Sequence, residues 1–328
     1  MKKITILIAL IMTVLTAVKA QETKEEFKPS GKAFVNIYSN FHSTFTEGSN
    51  SSAFEIERAY LGYDFKLSEH FSGKINIDVG NPGTGKLEMV AYLKNAYISY
   101  TKDRFSASFG MIGTTGFKTQ EENWGYRYIE KSFQDLYKMG SSADLGLSAS
   151  YKFTEWLKGD VIIVNGEGYK LVQADKNYKA GAGLTINPIS NLTIRGYYDI
   201  LGTKDIQSTI VSFVGYDFGK ATIGAEYNYQ MNNGNSVGKD YSGYSVYATV
   251  KPVKDFKVFV RYDNLTSVTL EGESAAWNLS KDGGLLFAGI EYQPVKGLKI
   301  APNYRMSNPS DKEKKPTNYF YINCDIKF

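Results

Sequence analysis

Histidine and cysteine, which carry most nucleophilic catalysis and zinc binding in proteins, are almost absent from this chain. The 328 residues contain two histidines, His42 and His70, and one cysteine, Cys324. A zinc site needs several such ligands, and a serine or cysteine nucleophile needs a histidine beside it. The sequence also lacks a phosphate-binding loop, a dinucleotide fingerprint and zinc-ligand spacing. It therefore predicts no catalytic residue, no metal site and no cofactor.

The side chains best suited to act on a passing solute lie in one aperiodic segment, residues 114–141. This segment mixes both charge signs with large aromatic side chains and has no period-two face. If the segment folds into the inside of a barrel, it would narrow the opening and select solutes by size and charge. Its composition is equally compatible with a loop exposed on the surface. The candidate constriction residues are Glu121, Glu122, Trp124, Arg127, Glu130 and Lys131.

The elements that must position this segment are long, alternating strands. In residues 143–153, Ala143, Leu145 and Leu147 begin an uninterrupted apolar face, opposite polar or small residues. About sixteen such stretches of roughly 9–12 residues follow one another, which is the length that a tilted strand needs to cross a bilayer, whereas strands of water-soluble proteins cluster near 5–6 residues. In residues 91–101, alternation places Lys94 near the lipid side.

The two chain ends indicate export and insertion. Residues 1–20 combine Lys2 and Lys3, an apolar stretch and a small-residue site at Ala20, which predicts a cleaved signal peptide. The last strand alternates, with Phe328 closing its apolar face, and resembles the closing strand and assembly signal of outer-membrane barrel proteins. Loss of three lysines with the signal peptide leaves 35 basic against 34 acidic residues. This balance gives no basic face for nucleic acid.

The connections between the strands alternate between short turns and long loops, which predicts an even strand count with both termini on the short-turn side. Residues 42–53 are predicted to form the first long loop. The predicted fold is an all-β, transmembrane, antiparallel up-and-down β-barrel of about sixteen strands, with fourteen or eighteen as alternatives. It comprises a short periplasmic lead-in at residues 21–30, the barrel at 31–328 and an inward third loop at about 114–141.

Alternation also predicts which charged side chains face the inside of the barrel. Arg58 is ambiguous, because turning it inward puts Phe54 and Ile56 on the same side unless the strand contains a bulge. The inward set is mixed in sign, and the candidates are Arg58, Lys74, Asp78, Arg195, Asp199, Glu226, Arg261, Asp263 and Arg305.

Three motifs in order give the chain a family resemblance. Residues 54–63 (FEIERAYLGY), 71–80 (FSGKINIDVG) and 109–113 (FGMIG), followed by a loop carrying 128–132 (YIEKS), are similar to porins of the phosphate-selective O and P type. The resemblance implies a sixteen-stranded homotrimeric porin with its third loop inside the lumen. The chain departs from the family in having only six arginines, which argues against naming phosphate as the solute.

The sequence is best interpreted as that of a passive channel in the bacterial outer membrane for small hydrophilic solutes or ions, with an anion preference left open. A barrel enzyme and a non-conducting adhesin or scaffold are the alternatives. The expected partners are outer-membrane lipid, the barrel-assembly machinery reached through Phe328, and small hydrophilic solutes.

Overall fold

The structure is a computed structural model that describes residues 27–81 and 89–328. The predicted signal peptide and most of the predicted lead-in lie outside these residues. Among the described residues, no helix has the length and apolar character needed to cross a bilayer.

Sixteen antiparallel strands form a closed barrel in which each strand pairs with its neighbours in sequence and β1 pairs with β16. The predicted fold class and strand count are confirmed. The strands are β1 Ser30–Thr46, β2 Ser49–Lys66, β3 Phe71–Gly80, β4 Val90–Lys102, β5 Phe105–Gly113, β6 Ala143–Lys152, β7 Leu157–Val164, β8 Lys179–Ile186, β9 Leu192–Leu201, β10 Gln207–Asp217, β11 Ala221–Met231, β12 Tyr241–Val253, β13 Phe256–Ser267, β14 Gly283–Val295, β15 Leu298–Pro309 and β16 Thr317–Lys327. Two short helices, α1 Lys118–Trp124 and α2 Phe133–Leu136, lie between β5 and β6, and a 3-10 helix spans Asn233–Asn235.

Period-two alternation gives the barrel an apolar outer face and a polar lumen. On β13, Val258 and Val260 point outward and are each 45% exposed, whereas Arg261 and Asp263 point inward and are 1% and 0% exposed. Successive side chains of a strand point to opposite faces, so alternation in the sequence predicts which residues face outward wherever the strand contains no bulge.

The barrel closes where the last strand meets the first. Ten residue pairs join β1 to β16, from Asn36 opposite Lys327 to Phe45 opposite Asn318. Beyond them, Phe328 and Val35 exchange both backbone hydrogen bonds, at 3.0 and 3.2 Å. The chain terminus is therefore part of the closing seam.

The prediction of a long loop at residues 42–53 is wrong. β1 continues to Thr46 and β2 begins at Ser49, with Thr46 opposite Ser49 across a two-residue turn. Gly48 supplies the positive φ of 79° that so tight a hairpin turn requires. The Ser, Thr and Asn content of this segment suggested a loop, but these residues pair across the hairpin.

Candidate functional site: the lumen and its inward loops

Loop three, residues 114–142, folds into the barrel lumen. Helix α1 ends at Gly125, whose left-handed φ of 70° lets its N–H donate to the Glu121 carbonyl at 3.0 Å. The chain then reverses, and the side chains of Trp124, Tyr128 and Phe133 are at most 2% exposed. A surface loop would leave such side chains in water.

An apolar patch on the lumen wall receives the aromatic side chains of loop three. The ring centroids of Tyr126 and Phe259 are 4.7 Å apart, and those of Trp124 and Tyr247 are 5.3 Å apart. Full burial of one such side chain contributes roughly 1.5–3 kcal/mol. The wall residues of this aromatic seat are Tyr38, Tyr60, Phe213, Tyr247, Phe259 and Ala301.

The aromatic seat also explains β10, whose sequence is apolar on both faces. Ile210 and Val214 point outward and are 45% and 44% exposed, while Phe213 points inward, is 3% exposed and packs in the aromatic seat. The second apolar face of this strand therefore serves loop three.

Three lumen arginines bind the main chain of loop three. Arg195 donates to the Thr115 carbonyl at 2.9 Å, Arg261 to the Lys131 carbonyl at 2.7 Å, and Arg305 to the Ile129 carbonyl at 2.9 Å. Because an arginine offers five donors in a fixed fork, it can hold a carbonyl and a carboxylate together. These three arginines act as structural anchors.

Each anchor is also paired with an acidic side chain. Arg195 contacts Asp160 at 2.6 Å, and Arg261 contacts Asp263 at 2.6 Å. Arg305 contacts Glu130 of loop three itself at 3.1 Å. The positive charge of each anchor is therefore compensated within the wall or the loop.

Arg127, at the centre of loop three, lies among three carboxylates. Its guanidinium nitrogens are 3.4 Å from both Glu121 and Asp135 and 3.7 Å from Glu57 of β2. Burial raises the pKa of Glu121, while the neighbouring charge of Arg127 opposes that rise. This acidic cluster links loop three to the wall at β2.

Two β-bulges direct charged residues toward loop three. In β2, Arg58 pairs with Tyr38 but Ile56 pairs with Ser39, so Glu57 is the extra residue. A bulge re-aims the side chains on either side of it. Arg58 is therefore inward and 8% exposed, while Phe54 and Ile56 are 85% and 51% exposed.

Lys94 is the extra residue of the second bulge, because Asn95 pairs with Asn76 while Leu93 pairs with Ile77. The expectation that Lys94 lies near the lipid side is wrong. Its Nζ lies 3.3 Å from the Tyr60 hydroxyl and 4.7 Å from the Tyr60 ring centroid, inside the lumen. The bulge moves it from one face to the other.

Loop four, residues 165–178, also bends inward, which the sequence did not indicate. The Tyr169 hydroxyl donates to Asp78 at 2.7 Å, and Asp78 also accepts from Arg58 at 2.9 Å. The loop is held at its base by Asp144, which accepts from the backbone N–H groups of Gly166 and Gly168 at 2.8 and 3.1 Å.

A polar cavity of about 510 Å³ remains between loop three and the wall formed by β3 to β9. Small hydroxyl side chains leave this space open, and lysines contribute most of its charge. Its hydroxyl residues include Ser106, Ser108, Ser148, Ser150, Thr119 and Thr185, and its lysines are Lys74, Lys94, Lys118 and Lys158. The open part of the lumen is therefore off-centre, opposite the aromatic seat.

The remaining candidates occupy separate positions. Glu122 lies on the outer side of α1, with 68% of its side chain exposed, and contacts Lys118 at 3.8 Å rather than Arg127. Lys74 pairs with Asp64 at 3.2 Å, and Asp199 with Lys179 at 3.0 Å. Glu226 is 4% exposed.

The imidazoles of the two histidines form hydrogen bonds with an amide side chain and a backbone carbonyl. His42, in β1, shares a hydrogen bond of 2.9 Å with the Asn40 side chain, and His70 shares one of 3.0 Å with the Thr101 carbonyl. Within residues 27–81 and 89–328, no three His, Cys, Asp or Glu side chains are arranged so that they could hold a metal ion.

Comparisons with known proteins identify solved structures that share this fold. The sequence matches no family model and no curated protein. Among solved structures, the outer-membrane channel DcaP of Acinetobacter baumannii is 12% identical, with a TM-score of 0.68 over 94% of this chain and 100% of that one. OprB of Pseudomonas putida is 10% identical, with a TM-score of 0.70 over 91% and 94%. An anion-selective porin from Comamonas acidovorans is also 10% identical, with a TM-score of 0.68 over 92% and 100%. The fold is therefore that of sixteen-stranded porin barrels.

Proposed function

We propose that this chain is a passive channel of the bacterial outer membrane for small hydrophilic solutes. The observation that supports this best is the pairing of an apolar outer face with a polar lumen that loop three narrows without filling. In this proposal, solutes pass loop three through the cavity of about 510 Å³ along β3 to β9. Diameter and local charge at such a narrowing select the solutes.

The charges along this path favour anions. All six arginines are paired with carboxylates, as are Lys74 and Lys118. Lys94 and Lys158 line the same cavity and form an ion pair with no described carboxylate. Uncompensated positive charge in a narrow, partly desolvated space attracts anions and repels cations.

Recording from the purified protein in a planar bilayer tests this proposal. We expect stepwise conductance in KCl and, under a salt gradient, a reversal potential of the sign that marks chloride preference. Protein that inserts without producing current steps would support a non-conducting adhesin or scaffold instead.

The proposal carries three further expectations. The outer face lies in lipid, the terminal strand engages the barrel-assembly machinery, and the porin assembles as a homotrimer, as the family resemblance implies. Chemical cross-linking in isolated outer membranes would detect the trimer, and a monomeric band after efficient cross-linking would contradict it. We propose no enzymatic activity, because neither described imidazole is hydrogen-bonded to a serine hydroxyl or a cysteine thiol.

A further inference from the structure

Lys94 differs from the other positive charges around loop three in the two tyrosine rings that contact its ammonium group. It is partly buried and forms an ion pair with no described carboxylate, and its ammonium group lies against two tyrosine rings, 4.7 Å from the Tyr60 centroid and 5.6 Å from that of Tyr169. Cation–π contacts and one hydroxyl hold such a group in place without a direct ion pair to a carboxylate. A strand bulge is needed to put it there.

The surroundings of Lys94 favour a single negative charge over two. A doubly charged oxyanion is bound best by arginine forks or by several converging donors, and the neighbouring arginines Arg58 and Arg127 are already paired with acids. Asp78, Glu121 and Asp135 are close enough to act on Lys94 electrostatically. These acids would repel a second negative charge.

The cavity beside Lys94 has two kinds of wall. Ser106, Ser108 and Ser148 contribute hydroxyl groups to the lining, and Tyr97, Ile112 and Phe117 contribute apolar surface. A volume of about 510 Å³ is within the range of small-molecule pockets. A ring or short alkyl body fits against the apolar side while its charged end reaches the ammonium group.

We infer that Lys94 and this cavity form a binding site for small monocarboxylates with an apolar or aromatic body. The inference rests on the proposed channel function and specifies its solute class. A solute held here pauses on its way past loop three. It therefore blocks the chloride current while it is bound.

Block of the chloride current by benzoate tests the site. Benzyl alcohol serves as the uncharged analogue and terephthalate as the doubly charged one. For wild-type protein we expect benzoate to block at lower concentration than either analogue. In Lys94→Gln we expect the half-blocking concentration of benzoate to rise roughly tenfold, since one partly desolvated ion pair is lost. Lys94→Arg, which keeps the charge, should retain most of the block.

Lys152→Gln is the matched control, because Lys152 is an exposed strand lysine outside the cavity and its loss changes the net charge equally. Equal block of wild type and Lys94→Gln, with channels that still conduct, would overturn the site and leave the channel function intact. Block by terephthalate as strong as that by benzoate would overturn the preference for one charge. An absence of conductance in the wild type would overturn the channel function itself.

Discussion

At the scale of single residues, the lumen arginines are paired with acidic side chains, and this pairing determines whether they can bind a passing anion. Positive lumen side chains suggest a path for anions. The guanidinium N–H groups of Arg195, Arg261 and Arg305, however, already donate hydrogen bonds to acidic side chains and to loop-three carbonyls. Removing one partner of a buried charged pair costs more than the pair contributes. Substitution of these arginines would therefore alter the barrel first and ion selectivity only through it.

Arg127 is the arginine whose charge bears most directly on selectivity. Arg127→Gln leaves Glu57, Glu121 and Asp135 without their shared counter-charge. Because a unit charge about 4 Å away contributes on the order of 1 kcal/mol even when water screens it, and the Arg127 side chain is only 14% exposed, we expect the permeability ratio to shift toward cations by roughly tenfold. Reversal potentials in a KCl gradient measure the shift.

Arg104→Gln is the control for that experiment, because Arg104 lies exposed at a short turn, where it contacts the 79%-exposed Glu155 and the Phe153 carbonyl and no residue of loop three. A shift of equal size in both variants would contradict a special role for Arg127.

The same scale shows where sequence reasoning stops. Alternation correctly places Val258, Val260, Arg261 and Asp263 because it needs only the period of two. Alternation misplaces Lys94, because a bulge inserts one extra residue into β4. The bulge can be identified only from the pairing with the neighbouring strand, which the sequence of β4 does not give. A charged residue on an otherwise apolar face was the one available signal of that bulge.

At the scale of elements, loop three occupies one side of the lumen and leaves a cavity beside it. Its inward position could not be decided from its own composition, because mixed charges and aromatics suit a surface loop equally. The deciding feature is the aromatic seat, assembled from strands as far apart in sequence as β1 and β15.

We expect replacement of residues 118–137 by a short glycine–serine linker to raise single-channel conductance roughly twofold or more, because the current is limited at the narrowest section. A parallel linker replacing residues 271–276, in the loop between β13 and β14, controls for the effect of loop surgery. Unchanged conductance in the first variant would show that loop three does not limit the current. Heat-modifiable migration in gels would verify that both barrels remain folded.

At the scale of the whole molecule, the barrel follows from repetition. Sixteen alternating segments follow one another, joined mostly by turns at one rim and by loops at the other. Pairing of β1 with β16 closes the sheet and leaves no strand with an unpaired edge. The exact ends of the strands were harder to predict from the sequence, as the β1–β2 hairpin shows. Polar residues near a rim of the barrel are compatible with both a strand and a loop.

Phe328 belongs to this scale because it completes the seam. Its deletion removes two backbone hydrogen bonds to Val35, each contributing about 1 kcal/mol, together with the predicted assembly signal. We expect less folded barrel in the outer membrane, measured as the heat-modifiable fraction. Phe328→Tyr keeps both the backbone and the aromatic ring and should assemble normally. Normal assembly of the deletion variant would contradict this assignment.

The contacts between loop three and the last two strands couple the position of the loop to closure of the barrel. The Asn323 amide donates to the Tyr128 carbonyl at 3.1 Å, and Arg305 reaches the Ile129 carbonyl. The partners of these bonds are 195 and 176 residues apart in the chain. Once β16 has joined β1, the ring is complete and its lumen is reached only through the two mouths. Loop three therefore enters either before closure or through the mouth at its own rim, and a chain whose loop remains outside lacks the bonds that stabilise its last hairpin.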